Sequence, residues 1–345
     1  MNRALSVIAA VALSCLTFAS ASAGDTLRVI TDRTESHLAP LFQYYEKTTG
    51  VEIKASYVDK GLLPRLQARP TEADLVITKT VTVLESARNE GVLVPFASKT
   101  LDARLKPQFR EADDHYFIPS YRARGLYYSK DRVKPGDLST YADLASPKWK
   151  GRISIRSGYH NYNISLFCQM AASEGLDKAK AFIKGLHANL ARTPQGNDRA
   201  QVRAIHEGKA DVSIGNSYYM GLMLDRDDQR PWAHAVNYFF PNQGGKGAYV
   251  LCSGVALTKA RRNRAGATKF MEFLVDDFAQ YYLANALYVY PCNTDLPLNK
   301  VTRNLAAAQE AVEHGKFKAN FVPVAEAVKH REAIVNYLNE INFDE

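Results

Sequence analysis

The chain has 345 residues, of which 46% are hydrophobic and 23% are charged. This length predicts about two domains, and this composition excludes collagen-like and intrinsically disordered chains. Lysine and arginine exceed aspartate and glutamate by 44 − 36 = 8 without forming a basic block, so neither nucleic-acid binding nor a polybasic membrane anchor is expected. Tyrosine, with 19 residues, outnumbers phenylalanine, with 15, which suggests that some phenol hydroxyls serve a site.

The first 23 residues predict a secretory signal peptide. Arg3 gives a short positive start, residues 4–19 are apolar apart from serine and threonine, and Ala21-Ser22-Ala23 is a typical cleavage site. After residue 24 no stretch approaches the roughly 18 apolar residues of a membrane span. The mature protein is therefore expected in a bacterial periplasm, cleaved near Ala23 and not inserted in the membrane.

Strands and helices alternate in the first part of the mature chain. Residues 27–31, 51–57 and 73–78 have the pattern of strands, and residues 37–49 and 62–68 have the apolar spacing of helices. Strand, helix, strand, helix and strand joined by short links predict a parallel α/β unit.

The middle of the chain repeats this arrangement. Residues 151–156 and 210–214 are predicted strands, and the extended apolar stretches 117–128 and 249–257 are predicted to cross between two lobes. The predicted helices from here to the end are 162–172, 177–186, 197–206, 218–224, a pair at 264–283 and a tail at 304–342.

Two α/β lobes joined by two crossovers predict a hinged binding protein with its ligand in the cleft between the lobes. The first lobe is expected to comprise residues 24–120 and 248–300, and the second lobe residues 121–247 and 301–345 with the C-terminal helices. In such folds ligands lie at strand C-termini and helix N-termini, so the loops at these points carry the candidate residues.

The strongest local feature is Gly215-Asn216-Ser217-Tyr218-Tyr219, which follows a predicted strand and opens a predicted helix. At such a turn two neighbouring phenols can both face the cleft, and Asn216 or Ser217 can cap the helix. A tyrosinate is a hard oxygen donor suited to Fe(III), although binding must displace the phenol proton. The alternative is one core tyrosine beside one surface tyrosine, since other Tyr-Tyr pairs also occur in the chain.

Three further polar segments are candidates. The loop 156–163 offers hydroxyls, amides and phenols for a metal, an anion or a sugar, or it is simply a helix-capping loop. The segment 196–198 either contacts a ligand or caps its helix. The segment 120–124 carries Arg122 and Arg124, which either bind an anion bidentately or form salt bridges between the lobes.

The three cysteines of the mature chain, Cys168, Cys252 and Cys292, lack the paired spacing of a zinc site. Two states are open: one disulfide with one remaining thiol, or three buried thiols. His160, His206, Asp198 and Cys168 match no hydrolase signature, so the protein is not expected to be an enzyme.

Six motifs, in their order and spacing, resemble the periplasmic ferric-ion-binding proteins of bacterial ABC importers. They are Ser-Pro-Lys-Trp-Lys-Gly-Arg-Ile (146–153), Gly-Asn-Asp (196–198), Asn-Ser-Tyr-Tyr (216–219), Phe-Phe-Pro-Asn-Gln (239–243), Ser-Gly-Val-Ala (253–256) and Tyr-Pro (290–291). The resemblance covers essentially the whole mature chain and implies a type II periplasmic-binding-protein fold.

The resemblance implies that Fe(III) is the transported ligand, held by phenolates of Tyr162, Tyr218 and Tyr219. A synergistic anion such as carbonate would contact Ser157, Gly158, Asn197 and Asn216, and in branches without that anion Arg122 or Arg124 lies near the metal. The implied partner is an inner-membrane ABC permease with its ATPase, and the protein is expected to be a monomer.

The first lobe departs from the pattern of this family. Its members often place a histidine after the first strand, where this chain has Thr34 and Glu35. Glu35 is the candidate ligand as a hard carboxylate, and Asp32, His37 and water remain open. A different function is also open, in which Arg122, Arg124 and Arg156 clasp a phosphonate, phosphate or carboxylate and the tyrosines only pack.

Overall fold

The computed structural model describes residues 26–260 and 262–345. The predicted signal peptide and its cleavage site lie outside these residues. Within the described part of the chain, no helix combines the length and the apolar character needed to cross a membrane.

Strands and helices alternate throughout the described chain. The strands are β1 (Thr26–Thr31), β2 (Glu52–Tyr57), β3 (Leu75–Thr78), β4 (Leu93–Val94), β5 (Tyr116–Phe117), β6 (Ser120–Ser129), β7 (Ile153–Ser154), β8 (Val212–Asn216), β9 (Val236–Phe239), β10 (Ala248–Cys252), β11 (Gly254–Thr258), β12 (Tyr290–Pro291) and β13 (Ala319–Asn320). The helices are α1 (Glu35–Thr49), α2 (Leu62–Ala68), α3 (Thr82–Asn89), α4 (Lys99–Arg104), α5 (Asn161–Glu174), α6 (Leu176–Ala188), α7 (Asp198–His206), α8 (Tyr219–Leu224), α9 (Arg230–His234), α10 (Arg264–Phe273), α11 (Asp277–Ala286), α12 (Lys300–Arg303), α13 (Val324–Val328) and α14 (Arg331–Glu340).

The first sheet has the order β2-β1-β3-β11-β4, with β5 also paired to β11. Strand β1 is parallel to both β2 and β3, with Thr26 opposite Glu52 and Val29 opposite Leu75. These pairings confirm the predicted parallel unit, whose helices α1 and α2 supply the crossovers. Strand β11 returns antiparallel to β3. We call this sheet and its helices the first lobe.

The second sheet has the order β13-β10-β6-β8-β7, with β9 and β12 also paired to β6. All ten residues of β6 are buried, as expected for a central strand covered on both faces. Strand β8 runs antiparallel to β6 and parallel to β7, so β8 brings its last residue, Asn216, opposite Arg124. We call this sheet and its helices the second lobe.

The two lobes are joined where β5 leads into β6 and where β10 leads into β11. At the second connection, Ser253 is the single residue between the sheets. Its backbone N–H donates to the carbonyl of Ser120 at 2.9 Å, and the two hydroxyl oxygens lie 3.3 Å apart. The two crossovers therefore lie side by side where the chain passes between the sheets, and we call this place the hinge.

The C-terminal tail is less helical than predicted. Helix α12 ends at Arg303, and helical structure resumes only at α13 after the short strand β13. Gly315 has φ +72°, and a Cβ there would lie 2.0 Å from the carbonyl oxygen of Thr302. Only glycine fits this close turn, which folds the chain back against the end of α12.

The three cysteines are free and buried, which confirms the open alternative of three buried thiols. Burial raises the pKa of each thiol, to about 12 for Cys168, Cys252 and Cys292 alike. Thiols with such a pKa are poor nucleophiles and metal ligands at neutral pH.

Candidate metal-binding site

The tandem tyrosines lie where β8 ends and α8 begins, in the cleft between the lobes. Tyr218 immediately precedes the helix and Tyr219 is its first residue. Their ring centroids are 4.2 Å apart with an angle of 34° between the ring planes, so the two phenols lean together. The turn thus places neighbouring side chains on one side, as the sequence predicted.

Tyr162 lies beside this pair, although it comes from a separate segment. It is the second residue of α5 and is only 6% exposed. Its charge raises the pKa of both Tyr218 and Tyr219, so the three phenol groups are electrostatic neighbours. The structure therefore brings together the three tyrosines singled out from the sequence.

Burial is the main cause that raises the pKa of Tyr218 and of Tyr219 above the ordinary phenol value. For Tyr218 the charges of Tyr162 and Tyr219 add to this effect, and Arg122 partly opposes it. Both phenols are consequently protonated at neutral pH unless a cation compensates their charge.

Three arginines surround the ring of Tyr162. The guanidinium carbons of Arg122, Arg124 and Arg156 lie 5.2, 5.7 and 5.2 Å from its centroid. Arg122 donates from Nη1 to the carbonyl of Lys79 at 2.7 Å, a contact that joins the two lobes. These arginines make the neighbourhood of the phenol electropositive.

Arg124 and Arg156 are paired with a carboxylate that is fully buried, that of Asp198. Burial alone would raise the pKa of Asp198, but the two guanidinium groups outweigh it and hold that pKa below its usual range. Burial and the charge of Arg156 also lower the pKa of His160, to about 3, which in this case favours the neutral form. His160 is therefore neutral at physiological pH.

Arg33 of the first lobe is an electrostatic neighbour of the tyrosines that no sequence pattern marks. Its Nη1 donates to the hydroxyl of Ser253 at the hinge, at 2.9 Å. Burial and the charge of Arg122 lower the pKa of Arg33. The charge of Asp32 opposes this effect most, followed by those of Tyr218 and Tyr162. The charges of Arg33 and Arg122 thus act on each other. An isolated arginine after a strand matches no motif, so no sequence signal marked it.

The three candidate ligands of the first lobe have different surroundings. Glu35 is exposed at the first position of α1, where its charge acts on Tyr57. Asp32 accepts hydrogen bonds from the backbone of Lys79 at 2.7 Å and from the hydroxyl of Thr78 at 3.1 Å. Burial and Arg33 lower the pKa of His37. The role of Glu35 as a ligand stays a prediction.

The predicted anion contacts mostly organise loops. The Ser157 hydroxyl accepts a bond from the backbone of Tyr159, and the backbone of Gly158 donates to Asp344 at 2.7 Å. Asn197 caps α7 through the backbone N–H of Ala200. The prediction of a side-chain cap for α8 is wrong, because the two candidate side chains have other hydrogen-bond partners.

Those partners lie on β6. The side chain of Asn216 accepts from Arg124 at 3.2 Å, and the hydroxyl of Ser217 accepts from the backbone of Ala123 at 3.2 Å. Both residues therefore fasten the tyrosine turn to the central strand, and α8 begins without a side-chain cap.

Two arginines beside the tyrosines have donors without a partner in the part of the chain that the structure describes. Nε and Nη2 of Arg122 and Nε of Arg33 are buried and have no hydrogen-bond partner within the described residues. Buried donors of this kind are costly unless a ligand or water satisfies them. Phenols beside unpaired guanidinium groups can hold a hard cation together with an anion.

Comparison with known proteins places the chain in a family. A model described as bacterial extracellular solute-binding protein matches residues 41–310. The iron uptake protein A1 of Synechocystis is 40% identical over 264 residues, which cover 74% of this chain and 73% of that protein. The chain belongs to the ferric-iron-binding family of bacterial solute-binding proteins.

Solved structures of the family confirm the predicted fold. The apo ferric-ion-binding protein A of Pasteurella haemolytica has a TM-score of 0.84 at 36% identity, with 93% of this chain and 99% of that chain covered. A Trichodesmium protein, solved with iron and citrate, has a TM-score of 0.84 at 31% identity, covering 92% and 99%. The family consists of solute-binding proteins, which confirms the expectation that the protein is not an enzyme.

Proposed function

We propose that the protein captures Fe(III) in the cleft between its lobes through the phenolates of Tyr162, Tyr218 and Tyr219. The observation that carries this proposal is the convergence of three phenol groups from two separate segments beside unpaired guanidinium groups. Hard oxygen donors suit Fe(III), and the metal's charge offsets the cost of ionising buried phenols. The names of the Synechocystis and Pasteurella relatives support iron as the cargo.

A count of charges supports a synergistic anion. Fe(III) and three phenolates sum to zero, so they do not neutralise the nearby guanidinium groups of Arg33 and Arg122, neither of which takes part in an ion pair among the described residues. Carbonate or the carboxylates of citrate would compensate these two charges and use the free donors of both arginines. The Trichodesmium structure with iron and citrate supports this type of ligand.

Delivery follows from membership of the family. Solute-binding proteins of ABC importers pass their cargo to a permease, so an inner-membrane permease with its ATPase is the proposed partner and the periplasm the proposed location. The lobes close over iron only if the closed state binds the metal better than the open state. On closure the chain would bend at the hinge, at Ser120 and Ser253. A monomeric state stays a prediction.

Titration of the purified mature protein with ferric nitrilotriacetate, with and without bicarbonate or citrate, tests the proposal. We expect one iron per chain, a visible charge-transfer band from phenolate to iron, and tighter binding when the anion is present. A colourless protein that binds citrate or phosphate tightly without iron would contradict it. That result would favour an anion carrier in which Arg122, Arg124 and Arg156 clasp the ligand.

A further inference from the structure

Behind the three tyrosines lies the carboxylate of Asp198, at the first position of α7 and with no solvent exposure. Its Oδ1 accepts a hydrogen bond from Nη1 of Arg156 at 3.2 Å. Its Oδ2 accepts from Nη1 of Arg124 and from the backbone N–H of Asn216, the latter at 3.1 Å. A buried carboxylate is costly unless it is paired, and these three donors offset that cost.

Asp198 connects the two segments that carry the tyrosines. Asn216 lies two residues before Tyr218, so its bond to Asp198 fixes the end of β8. Arg124, held by the same carboxylate, donates from Nη2 to Oδ1 of Asn163 at 2.6 Å, and Asn163 directly follows Tyr162. Asp198 is therefore a buried link between the segment of Tyr162 and the segment of the tandem pair.

Asp198 also sets the charge beside Tyr162. Without its carboxylate, the guanidinium groups of Arg124 and Arg156 would both act uncompensated on this ring, at 5.7 and 5.2 Å from its centroid. With Asp198 in place, the three groups together carry a single positive charge. Together with the charge of Arg122 at 5.2 Å, this leaves two positive charges beside the ring instead of three, which oppose the approach of Fe(III) less strongly.

We propose that Asp198 is the positioning residue of the tyrosine cluster, which fixes the spacing of the three phenols and limits the positive charge against which iron binds. The inference rests on the proposed ligation of iron by tyrosine. Asp198 is enclosed by its own donors, so it acts through the tyrosines and not as a ligand to the metal.

The test compares Asp198→Asn with Asp211→Asn. Asp211 is a matched control, because its carboxylate also bridges two arginines of the second lobe, Arg132 at 2.5 Å and Arg152 at 2.6 Å. We expect Asp198→Asn to weaken Fe(III) binding by about 10–100-fold, the usual cost of losing an outer-shell partner. We also expect its charge-transfer band to move to shorter wavelength, because added positive charge stabilises the phenolate. Asp211→Asn should leave both readouts unchanged.

Arg156→Gln keeps the proposal testable if Asp198→Asn does not fold. This side chain is 12% exposed, and its loss removes positive charge near Tyr162, so we expect its band to move to longer wavelength. An unchanged band in Arg156→Gln, or wild-type affinity and band in Asp198→Asn, would overturn the inference. Equal shifts in Asp198→Asn and Asp211→Asn would overturn it too. A wild-type protein without an iron-dependent band would instead overturn the proposed function.

Discussion

Replacing both Tyr218 and Tyr219 with phenylalanine is expected to abolish the visible iron band and to weaken Fe(III) binding by at least about 10⁴-fold. Each lost phenolate is a direct ligand, and even an outer-shell partner is worth about 10–100-fold in metal affinity. The rings remain to fill the site, so the free energy of unfolding should change by less than about 2 kcal/mol. Absorbance titration and thermal unfolding measure the two effects separately.

A second tandem pair provides the control for this substitution. Tyr44 and Tyr45 lie on α1 in the first lobe, where Tyr45 packs against Phe270. The variant Tyr44→Phe with Tyr45→Phe should bind iron with wild-type affinity and colour. If the Tyr218 and Tyr219 variant kept wild-type binding, the tyrosines would be packing residues and the ligand assignment would be wrong.

Lowering the pH by one unit is expected to weaken Fe(III) binding by at least about 100-fold around neutral pH. Burial raises the pKa of Tyr218 and of Tyr219 above the ordinary phenol value of about 10, so both phenols carry protons in the iron-free protein. Iron binds them as phenolates, so at least two protons leave, and each contributes about tenfold per pH unit. Affinity therefore rises with pH, and acid releases the metal.

The proton count is measured directly by adding iron to weakly buffered protein with a pH indicator. The variant Tyr219→Phe removes one of the two protonated ligands and should release one proton fewer than wild type. An affinity that does not change between pH 6 and pH 8, once the competing chelator is accounted for, would show that buried phenols do not ionise on binding.

The regular parts of the fold could be predicted because local pattern and tertiary pairing agree there. The predicted strands at 27–31, 51–57 and 73–78 pair as the parallel unit β1 to β3. The predicted helix of the tail is wrong between Arg303 and Val324, where the chain folds back so that Gly315 lies against the carbonyl of Thr302, a contact that local sequence does not reveal.

Some residues of the site could also be predicted from the sequence, and others could not. The tandem tyrosines could be found because a turn between strand and helix is a local feature. The sequence indicates only that Asp198 belongs to a segment that contacts a ligand or caps a helix. Its partners Arg124 and Arg156 could not be predicted, because they lie 74 and 42 residues away along the chain. Arg33 was missed for a related reason, because its nearness to Arg122 arises only when the lobes come together.

An anomalous difference map at the iron absorption edge, from crystals of the iron-loaded protein, tests the ligand assignment most directly. We predict one strong peak in the cleft, within bonding distance of the phenolate oxygens of Tyr162, Tyr218 and Tyr219. A peak at another group of potential ligands would contradict the assignment. Glu111, Asp113 and His115 form such a group, with ligand atoms within 4.8 Å of one another.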